Sequence, residues 1–240
     1  PPNRRRRRFQ AACSLKPDHK NKMKKENYSR ILPLTPWTAS SMWPFTEAKP
    51  LAVLLVTLSL FGFGEGMLVV SRLGSTPWTV LSQGIARISG GELGTVTLMI
   101  SAVVMLGWIP LRLKPGLGTV LNMLLIAGGL GVFVHFVAVP ESLAARAALC
   151  VGGIVLIGVS SAFYLTCHTG AGPRDGLMVG LCQAGGWRIG SVRTAIEAVF
   201  CLIGWLLGGT VGIGTLLFAF GVGWVVQISL KLLARCFQAA

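Results

Sequence analysis

Two acidic side chains lie inside long apolar stretches of the chain, where a charged group is costly and usually has a function. Glu65 stands in the run FGFGEGM and has no oppositely charged residue within one helical turn. Glu197 follows Arg193 by four residues, so the two share one helix face, and an ion pair is the simpler explanation for both. Because a carboxyl group in apolar surroundings can carry a proton, Glu65, Glu197 and Arg193 are the candidates for proton coupling.

Two short segments have the composition of a helix start. Thr76 and Gly172 are suited to capping, and each precedes a proline, a residue favoured at the first helical position. The start of a helix presents unpaired N–H groups and a partial positive charge, which suits an anion. The alternative is that proline and glycine only turn the chain between longer elements.

Charged side chains surround both segments. Arg72 and His168 lie just upstream of them, and Arg174 and Asp175 fall in the first turn of the second segment. Two basic groups beside two helix starts predict a site for a carboxylate or phosphate group, although Asp175 can equally serve to complement the helix dipole. The predicted substrate-binding residues are Arg72, Thr76, Pro77, His168, Gly172, Pro173, Arg174 and Asp175.

Motifs of known catalytic chemistry are absent from the sequence. It contains no HExxH, no GxSxG and no phosphate-binding GxxxxGK[ST], and its six cysteines have no metal-ligand spacing. We therefore expect a protein that is not an enzyme and that uses no cofactor and no metal.

The elements that would hold these residues are membrane spans. Of the 240 residues 52% are hydrophobic and only 12% are charged, and the mean hydropathy is +0.67, which excludes most soluble enzymes. The predicted fold is an all-α polytopic membrane protein with about six transmembrane helices, at 51–71, 93–111, 117–139, 146–167, 190–208 and 213–233. The two proline-containing segments, 75–89 and 171–187, are too short and too polar to span the membrane and are predicted to be re-entrant or interfacial helices.

The positive charge is concentrated at one end. Residues 1–50 hold 12 of the 22 Lys and Arg and three of the eight acids, which gives this segment a net charge of +9. We expect 1–50 to be a disordered basic tail and 51–240 to be the membrane domain. Such a tail can attach to RNA or to anionic lipid. We favour the alternative that it is an extension without function and that the natural start is Met42. No nucleic-acid partner is expected.

Charge asymmetry also predicts the orientation. With six spans, the basic residues of the body fall mainly on the side that holds the tail, which the positive-inside rule assigns to the cytoplasm. We therefore expect both termini to lie on the cytoplasmic side of the membrane.

An internal repeat occurs at an offset of 96 residues. Gly74 matches Gly170 and Pro77 matches Pro173, and the register continues without gaps to Thr119 and its match in the second copy. The copies correspond to 51–140 and 141–240, and each holds three predicted spans, an odd number. They must therefore face opposite ways across the membrane, an arrangement typical of secondary transporters.

The motifs LGSTPWTVLSQG at 73–84 and GPRDGLMVGL at 172–181, supported by the run at 192–227, resemble the YczE/YyaS/YitT-type family of bacterial integral membrane proteins. The resemblance covers about 51–235. It implies a multi-span inner-membrane protein in which transport is suspected.

Three functions remain open from the sequence. The first is a secondary transporter of a small organic anion or vitamin-like metabolite, with proton coupling. The second is a substrate-capture membrane subunit of an ATP-driven vitamin uptake complex, and the third is a non-transporting membrane scaffold. The expected partners are the lipid bilayer and a small-molecule substrate, with a homodimer as a possible assembly.

Overall fold

The computed structural model describes residues 33–185 and 189–238, and the regular secondary structure of these residues is entirely α-helical. The predicted tail up to residue 32 and the end of the predicted segment 171–187 lie outside this part of the chain. The helices are α1 (Ala48–Ser71), α2 (Pro77–Ser89), α3 (Leu93–Leu106), α4 (Leu117–Phe136), α5 (Leu143–Thr166), α6 (Pro173–Gly185), α7 (Ile189–Leu206) and α8 (Ile213–Gln238).

The two proline-containing segments are short helices, as predicted. Both α2 and α6 begin at their proline and run for 13 residues. The hydroxyl group of Thr76 accepts a hydrogen bond from the backbone N–H of Thr79 at 3.3 Å, which caps the start of α2. The preceding helices end shortly before, where Arg72 and His168 take left-handed backbone conformations with φ of 53° and 58°.

Within 33–185 and 189–238, four helices are long and apolar enough to cross a membrane: α1, α4, α5 and the part of α8 up to Phe237. They confirm the predicted spans 51–71, 117–139, 146–167 and 213–233, and with them a multi-pass membrane protein. The predicted span 93–111 differs, because α3 ends at Leu106 after 14 residues, and 14 residues cover only about 21 Å of a bilayer core of about 30 Å. Together with α2, which meets it at 115°, α3 counts as a fifth candidate span. That α7 crosses the bilayer at 190–208 stays a prediction.

Helix α1 occupies the centre of the fold and packs against α4 on one side and α5 on the other. Small residues allow this close approach. A Cβ atom at Gly62 would lie 2.6 Å from the backbone carbonyl oxygen of Ile126 in α4, and one at Gly64 would lie 3.0 Å from that of Gly153 in α5. Glycine therefore sets the depth at which α1 is buried.

The helix boundaries follow the 96-residue offset. Helices α2, α3 and α4 begin 96 residues before α6, α7 and α8. Two hydrogen bonds are also reciprocal: the N–H of Gly118 donates to the carbonyl oxygen of Thr169 at 3.1 Å, and the N–H of Gly214 donates to that of Leu73 at 2.7 Å. The start of the last helix of each half is thus bound to the turn that precedes the short helix of the other half.

Residues 33–47, which belong to the predicted disordered tail, are packed against α5. The indole N–H of Trp37 donates to the hydroxyl group of Thr166 at 2.9 Å, and its ring stacks on Phe163 at a centroid distance of 5.6 Å. The N–H of Ala39 donates to the carbonyl oxygen of Cys167 at 3.0 Å. The structured part of the chain therefore begins before the predicted boundary at residue 50, because aromatic contacts hold a segment that has no helical periodicity of its own.

Candidate functional site

A cavity of about 310 Å³, here called cavity A, lies between α1, α2 and the four helices of the second half. Part of its wall is aromatic and aliphatic, with contributions from Phe61, Trp78, Ile157, Met178, Ile196, Phe218 and Val222. The rest is polar and includes four charged side chains: Arg174, Asp175, Arg193 and Glu197. A volume near 300 Å³ lies at the lower end of the range of small-molecule sites.

The carboxylate of Glu65 lies behind this wall, where the first turns of α2 and α6 meet. Its side chain is buried in α1, and the hydroxyl group of Thr79 in α2 donates a hydrogen bond of 2.5 Å to one of its oxygens. The other oxygen lies 3.7 Å from Nη1 of Arg174 in α6. The position predicted for a bound anion, close to the starts of both short helices, is thus filled by a carboxylate of the protein itself.

Arg174 separates Glu65 from cavity A. It contacts the Glu65 carboxylate on one side and lines the cavity on the other, and its guanidinium lies 5.4 Å from the centre of the Phe61 ring. A cation over an aromatic face is further stabilised by the ring quadrupole. With 27% of its side chain exposed, Arg174 can be reached by a molecule in the cavity.

The remaining charged groups of the cavity also have partners. The hydroxyl group of Tyr164 donates to a carboxylate oxygen of Asp175 at 3.0 Å. Arg193 and Glu197 form the ion pair that their spacing predicts, at 3.0 Å, with 54% and 28% of their side chains exposed. Each of these acids can accept a hydrogen bond from a ligand without first losing its protein partner.

The structure divides the predicted substrate-binding residues into two groups. Arg174 and Asp175 line cavity A, and Thr76, Pro77, Gly172 and Pro173 form the buried starts of the helices beside it. Arg72 is exposed at the end of α1, and neither Arg72 nor His168 lines cavity A.

His168 lies in surroundings that disfavour the charged imidazole, the form that would bind an anion. Its Nε2 atom is buried without a hydrogen-bond partner among the described residues, and burial lowers the pKa of its imidazole. The neutral form is therefore favoured, and a role for His168 or Arg72 in binding stays a prediction.

Four residues of the site were missed by sequence reasoning: Thr79, Tyr164, Trp78 and Phe61. The repeat carried a signal for two of them, since Thr79 is equivalent to Asp175 and Trp78 to Arg174 at the 96-residue offset. Tyr164 had no such signal, because its importance comes from its contact with Asp175 across two helices.

Comparison with known proteins places the chain in a family. A model for a family of unknown function, DUF6198, matches residues 48–231. The chain is 50% identical over 206 residues to an uncharacterized protein of Haemophilus influenzae, which covers 86% of this chain and 94% of that protein.

Two relatives come from Bacillus subtilis. The uncharacterized membrane protein YczE is 32% identical over 180 residues, or 72% of this chain and 81% of that protein. The uncharacterized protein YyaS is 26% identical over 188 residues, or 76% of this chain and 92% of that protein. No solved structure matches the chain. The resemblance to YczE- and YyaS-type proteins that the motifs indicated is confirmed, and the chain belongs to the DUF6198 family of unknown function.

Proposed function

We propose that this protein is a proton-coupled secondary transporter of a small organic anion, and not an enzyme. The observation that supports this function best is the contact between Glu65 and Arg174 at the wall of cavity A. A cation that can pair either with an internal carboxylate or with a ligand gives a direct way to link proton binding to anion binding.

The coupling follows from electrostatics in a partly dry site. While Glu65 is ionised it neutralises Arg174, so an incoming carboxylate would have to compete with it. Once Glu65 takes a proton, Arg174 loses its nearest carboxylate and keeps only the more distant Asp175 and Glu197. Because Arg174 is partly exposed, the cost is smaller than the roughly 3–5 kcal/mol of an unpaired and fully buried charge. A ligand carboxylate in cavity A relieves that cost. One proton and one anion therefore bind together.

The wall of the cavity indicates what kind of anion fits. Phe61, Trp78 and Phe218 suit an apolar or aromatic body, while Arg174 suits a carboxylate. Asp175 and Glu197 add hydrogen-bond acceptors near the same end. The substrate class that matches is a small carboxylic acid with an apolar body and at least one hydroxyl or amino group, as in many vitamin-like metabolites.

We infer that the two halves are inverted repeats in the inner membrane. If the bent pair α2–α3 counts as one crossing, the first half crosses the bilayer three times. With α7 as the predicted third crossing of the second half, both halves have the odd number that inversion requires. The matched helix boundaries and the reciprocal hydrogen bonds between halves support this arrangement. Both termini are then on the cytoplasmic side, as the distribution of basic residues favours.

Ligand binding to the purified protein tests this function. The detergent-solubilised protein is heated in the presence of single members of a panel of organic acids, at neutral and at acidic pH. At least one acid should raise the unfolding temperature, and more so at acidic pH, because binding to the folded state alone stabilises it. A membrane scaffold predicts no stabilisation by any acid.

Matched variants locate the binding site. Arg174→Gln should weaken binding about 10- to 150-fold, since a hydrogen bond to a charged group is worth roughly 1.5–3 kcal/mol. The double variant Glu65→Gln/Arg174→Gln removes both charges and controls for damage from an unpaired Glu65. Lys231→Ala, which alters an exposed residue of α8 outside cavity A, should bind as the wild type does. Equal losses in Lys231→Ala and Arg174→Gln would contradict the assignment.

A further inference from the structure

A second cavity, here called cavity B, lies on the other side of Arg174 within the first half of the chain. Its volume is about 50 Å³, and its wall comes mainly from α1 to α4, with Glu65 and Arg174 at one end. Thr97, Ser101 and Asn122 supply polar groups, and the hydroxyl oxygen of Thr97 is buried without a hydrogen-bond partner in the described part of the chain. A buried unpaired hydroxyl group is uncommon and needs an explanation.

The two cavities correspond to each other through the repeat. Eleven residues of the first half line cavity B, and adding 96 to their numbers gives nine residues that line cavity A. Three of the pairs are Ser82 with Met178, Thr97 with Arg193, and Ser101 with Glu197. Cavities A and B therefore occupy equivalent positions in the two halves of the repeat. Their volumes differ by about sixfold.

Trp78 and Arg174 form the partition between them. These two residues are equivalent at the 96-residue offset, and each lines both cavities. A carboxylate held by Arg174 on the side of cavity A could thus move to cavity B without leaving the guanidinium. On that side it would meet the hydroxyl group of Thr97 and the carboxyl group of Glu65, which must carry a proton for the two groups to lie side by side.

We propose that cavity B is a second binding position for the same carboxylate substrate, used when the two halves have exchanged conformations. The inference rests on the proposed function. In the conformer described here cavity A is large enough for a small organic acid, whereas 50 Å³ holds at most a few water molecules. In the exchanged conformer cavity B opens, cavity A closes, and each cavity gives access to one face of the membrane.

The exchange can be tested without knowing the substrate. Single cysteines are placed at the equivalent positions Ser82 and Met178 in a chain whose Cys13, Cys182, Cys201 and Cys236 are replaced by alanine. The buried Cys150 and Cys167 are retained, and the parent chain measures their background. The rate of labelling by a small membrane-impermeant thiol reagent is then measured from each face of sealed vesicles. Met178→Cys should react faster than Ser82→Cys, and the two should react from opposite faces.

A bulky side chain in cavity A should shift the equilibrium. Gly223 lines cavity A, and a Cβ atom there would contact nothing within 4 Å, so Gly223→Phe fills the cavity without a clash at its base. Labelling of Ser82→Cys should then rise severalfold while that of Met178→Cys falls. Gly128→Phe is the control, because Gly128 also has no atom within 4 Å of its Cβ position and lines neither cavity.

Every outcome of this experiment decides the proposal. A fall at Met178→Cys without a rise at Ser82→Cys means that cavity A was only blocked, and the exchange is then rejected. A parallel rise at both positions means general loosening and also rejects it, as does labelling of both from one face. The labelling experiment uses no substrate, so it is independent of the ligand-binding experiment. Labelling can reject the exchange while an organic acid still binds in cavity A, and the reciprocal labelling can be observed while no acid binds.

Discussion

At the scale of single residues, the Glu65 carboxylate is held by two side chains. Thr79 donates a hydrogen bond to one of its oxygens, and Arg174 neutralises its charge. Loss of that charge would therefore leave Arg174 without its ion-pair partner.

A double-mutant cycle measures the coupling between Glu65 and Arg174. Glu65→Gln and Arg174→Gln should each lower the free energy of unfolding, and the double variant should lower it by less than their sum, with a coupling of about 0.5–3 kcal/mol. The measurement is denaturant or thermal unfolding in detergent. Glu197→Gln provides the comparison, since its half-exposed pair with Arg193 should contribute less than about 1 kcal/mol. Strict additivity for Glu65 and Arg174 would show that the two side chains do not interact.

His168 makes stability depend on pH. Burial lowers its pKa below the ordinary value of 6.5, so below that pH the unfolded chain binds a proton that the folded protein resists. Stability should therefore fall as the pH drops through 6.5 and level off below the folded pKa. His168→Asn keeps a residue that tolerates the left-handed backbone and should flatten this part of the profile. An unchanged slope in thermal unfolding at several pH values would assign it to another group.

Sequence reasoning reached part of the site at this scale. Glu65 was a candidate because an acid in an apolar run is unusual, and the Arg193–Glu197 pair followed from a spacing of four. The partner of Glu65 could not be predicted in this way, because Arg174 is 109 residues away and the contact depends on how α1 and α6 pack.

At the scale of the helices, close packing of α1 depends on glycine. Gly62→Ala should destabilise the protein by about 1–3 kcal/mol, because its Cβ would lie 2.6 Å from a backbone oxygen of α4 and neither helix can yield at its centre. Gly128→Ala in α4 meets no atom within 4 Å and should be neutral or slightly stabilising. Unfolding temperatures of the two variants check this, and similar values would show that α1 and α4 are not in tight contact.

The segment before α1 contributes to stability through Trp37. Trp37→Ala removes the ring contacts with Phe163 and Phe237 and the hydrogen bond to Thr166, and it should cost about 2–4 kcal/mol. Trp37→Phe keeps much of the stacking and should cost about half as much. If Trp37→Ala unfolds at the wild-type temperature, residues 33–47 are not part of the stable fold.

Local signals predicted helix starts better than helix ends. Pro77 and Pro173 mark the starts of α2 and α6 to the residue, because capping and a fixed φ act locally. The end of α3 was placed too late, since the sequence stays apolar to Ile109. The chain turns before Pro110 instead, and Trp108 donates a hydrogen bond of 3.0 Å to the carbonyl oxygen of Pro173. That long-range contact leaves no trace in hydropathy.

At the scale of the whole molecule, the inverted arrangement requires three crossings in each half. A reporter fused at Glu141, between α4 and α5, and one fused after the last residue should report opposite sides of the membrane, because α5, the pair α6–α7 and α8 would cross three times between them. A same-side result would leave only two crossings there and would exclude inverted halves. The test uses the intact chain and is independent of any substrate.

Transport by the purified protein measures most directly whether a proton on Glu65 allows an organic anion to bind Arg174. The protein is reconstituted into liposomes that contain a pH-sensitive dye, and an organic acid that stabilises it is added outside. Wild-type protein should acidify the interior as the anion enters, whereas Glu65→Gln should bind the anion without moving protons with it. Glu141→Gln, which alters an exposed acid outside both cavities, should behave as the wild type does. Anion-dependent acidification by Glu65→Gln at the wild-type rate would contradict the account, and its absence in the wild type would instead favour a capture subunit that needs a separate partner.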